Sequence, residues 1–193
     1  MTELIIGGSG SGKSRIAEKE AVRLYRESLN DPDEEDPGLI YLACMEGRSE
    51  EAKKRIKKHR ENRRNQGFVT IERERDIGEV LKALKKPCSG CTVLLEALSV
   101  LFANELFSVK EGFGDPYKTS EKVLEDLKLV KNSVRNLIIV SDDIFRDGKE
   151  YGVETEGYMR GLMFLHRETA KFSDRVEEIT AGIITVWKEN MCP

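Results

Sequence analysis

Gly7-Gly8-Ser9-Gly10-Ser11-Gly12-Lys13-Ser14 is the stretch that decides the fold. It fits G-x-x-x-x-G-K-S, and each position has a physical reason. Glycines let the backbone turn so that successive N–H groups point inward at phosphate oxygens. The helix that follows adds its positive N-terminal end. Lys13 is placed for the β- and γ-phosphates, and the Ser14 hydroxyl for a Mg²⁺ position. Residue frequencies give this pattern by chance in about one chain in a hundred of this length. The context also fits. Leu4–Ile6 is an apolar run ahead of the glycines, and Ile16, Ala17, Ala21, Leu24 and Tyr25 recur behind them with helical spacing. This is a nucleoside triphosphate site at a strand-to-helix turn.

Outward from the loop, strands and helices alternate. Leu39–Ala43, Val93–Leu95 and Leu137–Val140 are short, continuous apolar runs, suited to strands buried on both faces of a parallel sheet. Ile77, Val80, Leu81 and Leu84 mark a helix, with Asp76 and Glu79 spaced as a capping box. Val123, Leu127, Val130 and Val134 mark another. A final helix is expected from near Thr155, with Met159, Leu162, Met163, His166 and Ala170 on one face. Val176, Ile179 and Ile183–Trp187 supply the last strands. The alternation specifies an open α/β sheet. The acidic stretch Asp31–Gly38 and the stretch Lys110–Pro116 read as loops.

Composition narrows the function. The chain has 193 residues, 39% apolar and 35% charged, and a net charge of −3. That length corresponds to a single nucleotide-binding domain over residues 1–193. The negative balance argues against nucleic acid as a partner. No apolar run reaches the roughly 18 residues of a membrane span, and the first residues lack a secretion signal. A cytoplasmic protein without membrane insertion is expected. Cys88-Ser89-Gly90-Cys91 is a CxxC, but Cys44 and Cys192 are isolated and His59 and His166 form no ligand-spaced pair. The simpler reading is reduced thiols in a turn.

A P-loop also needs a carboxylate on a neighbouring strand to organise the metal, directly or through water. Glu96 closes the Val93–Leu95 run, at the strand end where ligands of open α/β sheets collect. Asp142 and Asp143 close Leu137–Val140 and compete for the role; the pattern favours Glu96. Residues 48–64 read as a basic helix, with Ser49 as a cap and Ala52, Ile56, His59 and Arg63 on one face. Three readings of that helix stay open: a solvated charged surface, nucleic-acid contact, or triphosphate handling. His166, within a Met/Leu stripe, reads as a packed histidine.

Taken together, the P-loop, the Arg55-Ile56-x-x-His59-Arg60-x-x-Arg63 segment and Leu94-Leu95-Glu96 resemble one enzyme family. It is the bifunctional adenosylcobinamide kinase and adenosylcobinamide-phosphate guanylyltransferase family of cobalamin biosynthesis. The resemblance extends through Tyr41-Leu42-Ala43, Thr70-Ile71-Glu72, Ala103-Asn104-Glu105, Ile139-Val140-Ser141 and Ala181-Gly182-Ile183. It implies a RecA-like, mostly parallel P-loop sheet flanked by helices, and a homotrimer. It implies phosphorylation of adenosylcobinamide by ATP or GTP, with Mg²⁺. GMP then passes from GTP to adenosylcobinamide phosphate through a GMP–histidine intermediate matching His59. Guanine-nucleotide contacts match Ala43, Cys44, Met45, Arg60, Glu61, Asn62, Arg63, Glu72 and Glu96. The sequence departs at Gly10, where an Arg is frequent. It departs again at Asp142-Asp143-Ile144-Phe145, where the family reads Asn-Glu-Val-Gly, and at His166-Arg167, where it reads Asn-Gln. The nearest rival is another P-loop small-molecule kinase without guanylyl transfer. A GTP switch is disfavoured because Asn-Lys-x-Asp is missing from the sequence, and an RNA-binding module by the net charge.

Overall fold

The computed structural model describes residues 1–31, 38–45, 63, 66–80, 88–108 and 113–190. Strand β1 (Thr2–Gly7) leads into helix α1 (Lys13–Leu29), followed by β2 (Leu39–Ala43) and β3 (Val69–Glu72). Next come β4 (Thr92–Glu96), α2 (Leu98–Leu106), α3 (Pro116–Ser133) and β5 (Asn136–Asp142). Helix α4 (Val153–Phe172) and the hairpin β6 (Arg175–Thr180) and β7 (Ile183–Glu189) close the described chain. The strands form a 7-stranded sheet of order β3-β2-β4-β5-β1-β6-β7. Every pairing is parallel except β6 with β7.

Strand side chains alternate between two apolar layers. Ile5, Tyr41, Leu94, Ile138 and Val140 pack under Ala17, Ala21 and Leu24 of α1. Leu4, Leu42, Val93, Leu95, Leu137 and Ile139 face the other way, against α2, α3 and α4. Burial on both faces explains why these strands read as unbroken apolar runs rather than as alternating ones. Each fully buried Leu or Ile side chain contributes roughly 1.5–3 kcal/mol.

Three local expectations change. The capping box at Asp76 does not form: Asp76 is left-handed (φ 52°), opens a 3-10 turn at Ile77–Glu79, and makes no side-chain cap. Its carboxylate instead pairs with Lys122 at 2.6 Å, an ion pair that sequence spacing cannot reveal. Pro116 starts a helix rather than ending a loop, because Asp115 accepts from the Tyr117 and Lys118 N–H groups. The buried face of α4 is Gly161, Leu162, Leu165 and Thr169, leaving Met163 exposed. β7 forms where a last strand was expected, and both its faces are largely exposed among the described residues. Cys88 and Cys91 are free thiols flanking a turn, with the Cys91 N–H on the Cys88 carbonyl at 2.9 Å. The acidic stretch 32–37 and all of the basic helix except Arg63 lie outside the described residues.

One buried charge works against the fold. Glu3 lies on the α1 side of β1, 2% exposed, with Oε2 unpartnered. Burial first, then the carboxylates of Glu177 and Glu20, push its pKa from 4.5 up to about 8, against the opposing pull of Arg175 and Arg23. Below about 4.5 the proton is bound in both the folded and unfolded chain. As pH rises toward 8 the unfolded chain releases it while the folded chain holds it, so folding stability declines across that window. Glu3→Gln should remove this component. Urea unfolding at pH 5 and pH 8 should show the variant gaining on the wild type by a few kcal/mol at the higher pH; an unchanged difference would contradict the assignment.

Candidate active site

The site follows from the sheet order. β1 lies between β5 and β6, and β4 lies beyond β5, so the ends of β1, β5, β4 and β2 meet along one edge. Gly7 is in register with Asp142, and Ala43 with both Glu96 and Glu72. At this edge the chain leaves β1 and turns through residues 8–12 into α1. Gly7 has no room for a side chain: a Cβ there would sit 2.6 Å from the Ile179 carbonyl and 2.6 Å from Ser11 Oγ. Gly12 caps α1 at φ 92°, a left-handed conformation that costs other residues strain. The Ser11 N–H donates to the Gly8 carbonyl at 3.2 Å, and the Ser11 carbonyl accepts from Gly182 at the β6–β7 turn at 2.9 Å. The loop is thus fixed from both sides.

The first two residues of α1 meet the two carboxylates that competed in the sequence. Lys13 Nζ lies 2.7 Å from Asp142 Oδ1 and donates to the Gly8 carbonyl at 3.2 Å. The Ser14 hydroxyl donates to Glu96 Oε1. The other Glu96 oxygen accepts from the Tyr41 hydroxyl at 2.7 Å. Burial, and then the Glu96 charge, push the Tyr41 pKa well up, so it remains a proton donor. The structure therefore gives the two carboxylates different partners: Glu96 faces the serine of the P-loop and Asp142 its lysine.

Arg63 closes the Glu96 side. It is 4% exposed, and its guanidinium lies 3.5 Å from the centre of the Tyr41 ring. It also lies 3.7 Å from Glu18 of α1, whose pKa is raised by burial against the opposing Arg63 charge. Its Nε is buried without a hydrogen-bond partner among the described residues. Arg63 is the one member of the predicted basic face among the described residues. It turns inward toward Tyr41. His59, Arg60, Glu61 and Asn62 lie outside the described residues.

The remaining predicted contacts gather at the end of β2. The Cys44 N–H donates to the Glu96 carbonyl at 3.0 Å, and burial pushes the Cys44 thiol pKa up, so it stays neutral. Met45 is exposed beyond it, and Glu72 is exposed at the parallel end of β3. Asn104 pins this loop, donating to the Cys44 carbonyl at 2.8 Å and the Glu74 carbonyl at 3.2 Å. Sequence reasoning assigned no role to Tyr41, Ser99 or Asn104. For Tyr41 a signal existed: a lone hydroxyl in a buried apolar run needs a partner. His166 packs edge-on to Phe145 with Nε2 2.7 Å from Ser141 Oγ; burial lowers its pKa to about 4, against opposing pulls from Asp143 and Asp142. It is neutral and, among the described residues, held in the interior behind β5.

Over residues 3–186 the sequence matches the family described as cobinamide kinase / cobinamide phosphate guanyltransferase. It is 26% identical over 183 residues to the bifunctional adenosylcobalamin biosynthesis protein CobP of Pseudomonas aeruginosa, covering 95% of each chain. Among solved structures it resembles an ATPase domain, with a TM-score of 0.51 and 13% identity over all of this chain and 78% of that one. The flagellar accessory protein FlaH of Methanocaldococcus jannaschii gives a TM-score of 0.51 at 11% identity, over 98% of this chain and 79% of that one. These likenesses place the chain in the RecA-like P-loop fold.

Lys13 opens α1 directly after the loop and is held there by Asp142 and the Gly8 carbonyl. Lys13→Ala should lower affinity for a fluorescent GTP analogue at least tenfold and abolish turnover. Titration with unchanged affinity and unchanged turnover would remove the P-loop assignment.

Proposed function

This chain belongs to the cobinamide kinase / cobinamide phosphate guanyltransferase family, and on that footing we propose that it carries out both reactions, with His59 as the covalent carrier of GMP. It is a transferase of cobalamin biosynthesis. In the first reaction ATP or GTP phosphorylates adenosylcobinamide. In the second, GMP from GTP is attached to the resulting phosphate. The observation that supports this most is a P-loop whose Lys13 and Ser14 face Asp142 and Glu96 at one sheet edge, in a chain that matches the family from residue 3 to 186.

In the guanylyl reaction a neutral imidazole, of ordinary pKa about 6.5, attacks the α-phosphorus of GTP. The bond to the bridging oxygen breaks and pyrophosphate leaves. The phosphoramidate then passes GMP to the acceptor phosphate, which divides one hard displacement into two easier ones. Arg63 supplies positive charge beside Tyr41 and Glu96, and Arg60 is placed by sequence to add more. Ser14 Oγ and the Glu96 carboxylate are adjacent hard oxygen donors and fit Mg²⁺ bound with a triphosphate. When bound, the ion neutralises charge on the phosphates.

We read residues 1–193 as one cytoplasmic domain, and the working unit as a homotrimer. The edge strand β7 supports assembly, since Ile183 and Trp187 are 71% and 69% exposed on an unpaired sheet edge. No helix among the described residues is long and apolar enough to cross a membrane.

His59→Asn should lose acid-labile labelling by GTP and guanylyl transfer, yet still phosphorylate cobinamide. Tryptic mass spectrometry locates the adduct, and GMP on a peptide without His59 would sink the proposal. A wild type that phosphorylates cobinamide but never labels would instead favour a plain P-loop kinase. Glu96→Gln removes the charge that holds both Ser14 and Tyr41. It should lower kcat of both reactions about 100-fold or more, with a smaller change in GTP affinity; a silent Glu96→Gln would move the role to the neighbouring strand.

A further inference from the structure

Two chain segments leave the sheet side by side at the edge that carries the phosphate site, one after β2 and one after β3. We infer that Asn104 of α2 sets the purine specificity of the nucleotide site, by fixing the spacing of these two segments on either side of the base. The inference rests on the guanylyl reading above, which puts guanine against Ala43, Cys44, Met45 and Glu72.

The sheet brings the segments together but stops short of their ends. Ala43 is in register with Glu72, and the Arg73 N–H donates to the Ala43 carbonyl at 2.9 Å. Beyond these residues the pairing of β2 with β3 ends. Asn104 takes over there. Its side-chain nitrogen donates to the Cys44 carbonyl at 2.8 Å and to the Glu74 carbonyl at 3.2 Å. That nitrogen carries two hydrogens in one plane, so a single rigid group spans both segments. Glu105, the next residue, is buried and accepts from the Asp76 N–H at 2.7 Å. Arg73 Nε also donates to the Arg75 carbonyl at 2.8 Å. The segment after β3 is thus closed on itself and held from α2 at residues 74 and 76. The support is firm, because Leu98, Leu101, Phe102 and Leu106 bury α2 in the core.

The chemistry of the base makes this spacing matter. Guanine presents N–H donors at N1 and N2, whereas adenine has an acceptor at N1 and no amino group at C2. Reading guanine therefore takes acceptors held at a matching separation, and a shift of either segment loses the match. The Glu72 carboxylate, exposed at the end of β3, and the backbone carbonyls beyond both strands are acceptors of that kind. The phosphate grip is separate: Lys13 and Ser14 lie on α1 and meet Asp142 and Glu96. Asn104 is accordingly a positioning residue for the base and not for the triphosphate.

Asn104→Leu keeps the size of the side chain and removes both donor hydrogens. Calorimetry with non-hydrolysable GTP and ATP analogues and Mg²⁺ compares it with the wild type, which should favour the GTP analogue. In the variant, affinity for the GTP analogue should fall about tenfold or more, while that for the ATP analogue stays within about twofold. In guanylyl transfer to supplied cobinamide phosphate, KM for GTP should rise by the same factor with kcat little altered. A general loosening of the fold would not give that split. Equal weakening of both analogues, an unchanged preference, or a wild type without preference would each overturn the inference. Asn104→Ser has one donor hydrogen in place of two and repeats the comparison should the leucine variant fail to fold. A wild type that prefers the GTP analogue but transfers no GMP refutes the guanylyl reading alone, which separates that failure from this one.

Discussion

Two carboxylates at the ends of neighbouring strands impose the constraint on which this structure turns. Glu96 ends β4 and Asp142 ends β5, and both lie at the edge where the chain enters α1. Each carboxylate meets one of the first two residues of α1. Lys13 takes Asp142 and Ser14 takes Glu96. These are also the residues that a P-loop offers to a triphosphate. The contacts that join α1 to the sheet edge therefore lie at the loop itself.

Much of this was legible in the sequence, and the reason is burial. β2 matches its apolar run residue for residue, and β4 and β5 extend theirs by one or two residues at each end. Strands covered on both faces leave a continuous apolar signature with branched residues and an abrupt polar end. The loop was legible because its glycines answer to steric demands: Gly7 has Ile179 against it and Gly12 is left-handed. What stayed hidden depends on distant partners. Asp76 has a cap's position and a cap's spacing, yet Lys122, 46 residues away, takes its carboxylate. Glu96 was ranked above Asp142 for the metal-organising role, but which α1 side chain each one meets was not legible. β3 was hidden for the opposite reason, since its burial is too slight to leave an apolar run.

Tyr41 shows how a site residue can pass for core. It lies in the apolar layer under α1 and packs edge-on against Phe68, with ring centres 6.1 Å apart. Its hydroxyl nevertheless reaches Glu96, and its ring face meets Arg63. One side chain thus links the carboxylate of β4 to the basic segment that follows β2. The consequence is geometric. Arg63 is placed by a ring that is itself fixed by the core.

The hairpin of β6 and β7 extends the same logic to the other flank. Its turn, with Ala181 left-handed at φ 51°, donates from Gly182 to the Ser11 carbonyl inside the P-loop. Its outer strand exposes Ile183 and Trp187, while Trp187 Nε1 donates to Glu178 of the inner strand at 3.0 Å. Glu178 in turn binds Arg146, which also pairs with Asp143 at 2.7 Å, one residue beyond Asp142. The apolar edge and the phosphate site are therefore held by one continuous set of short polar contacts.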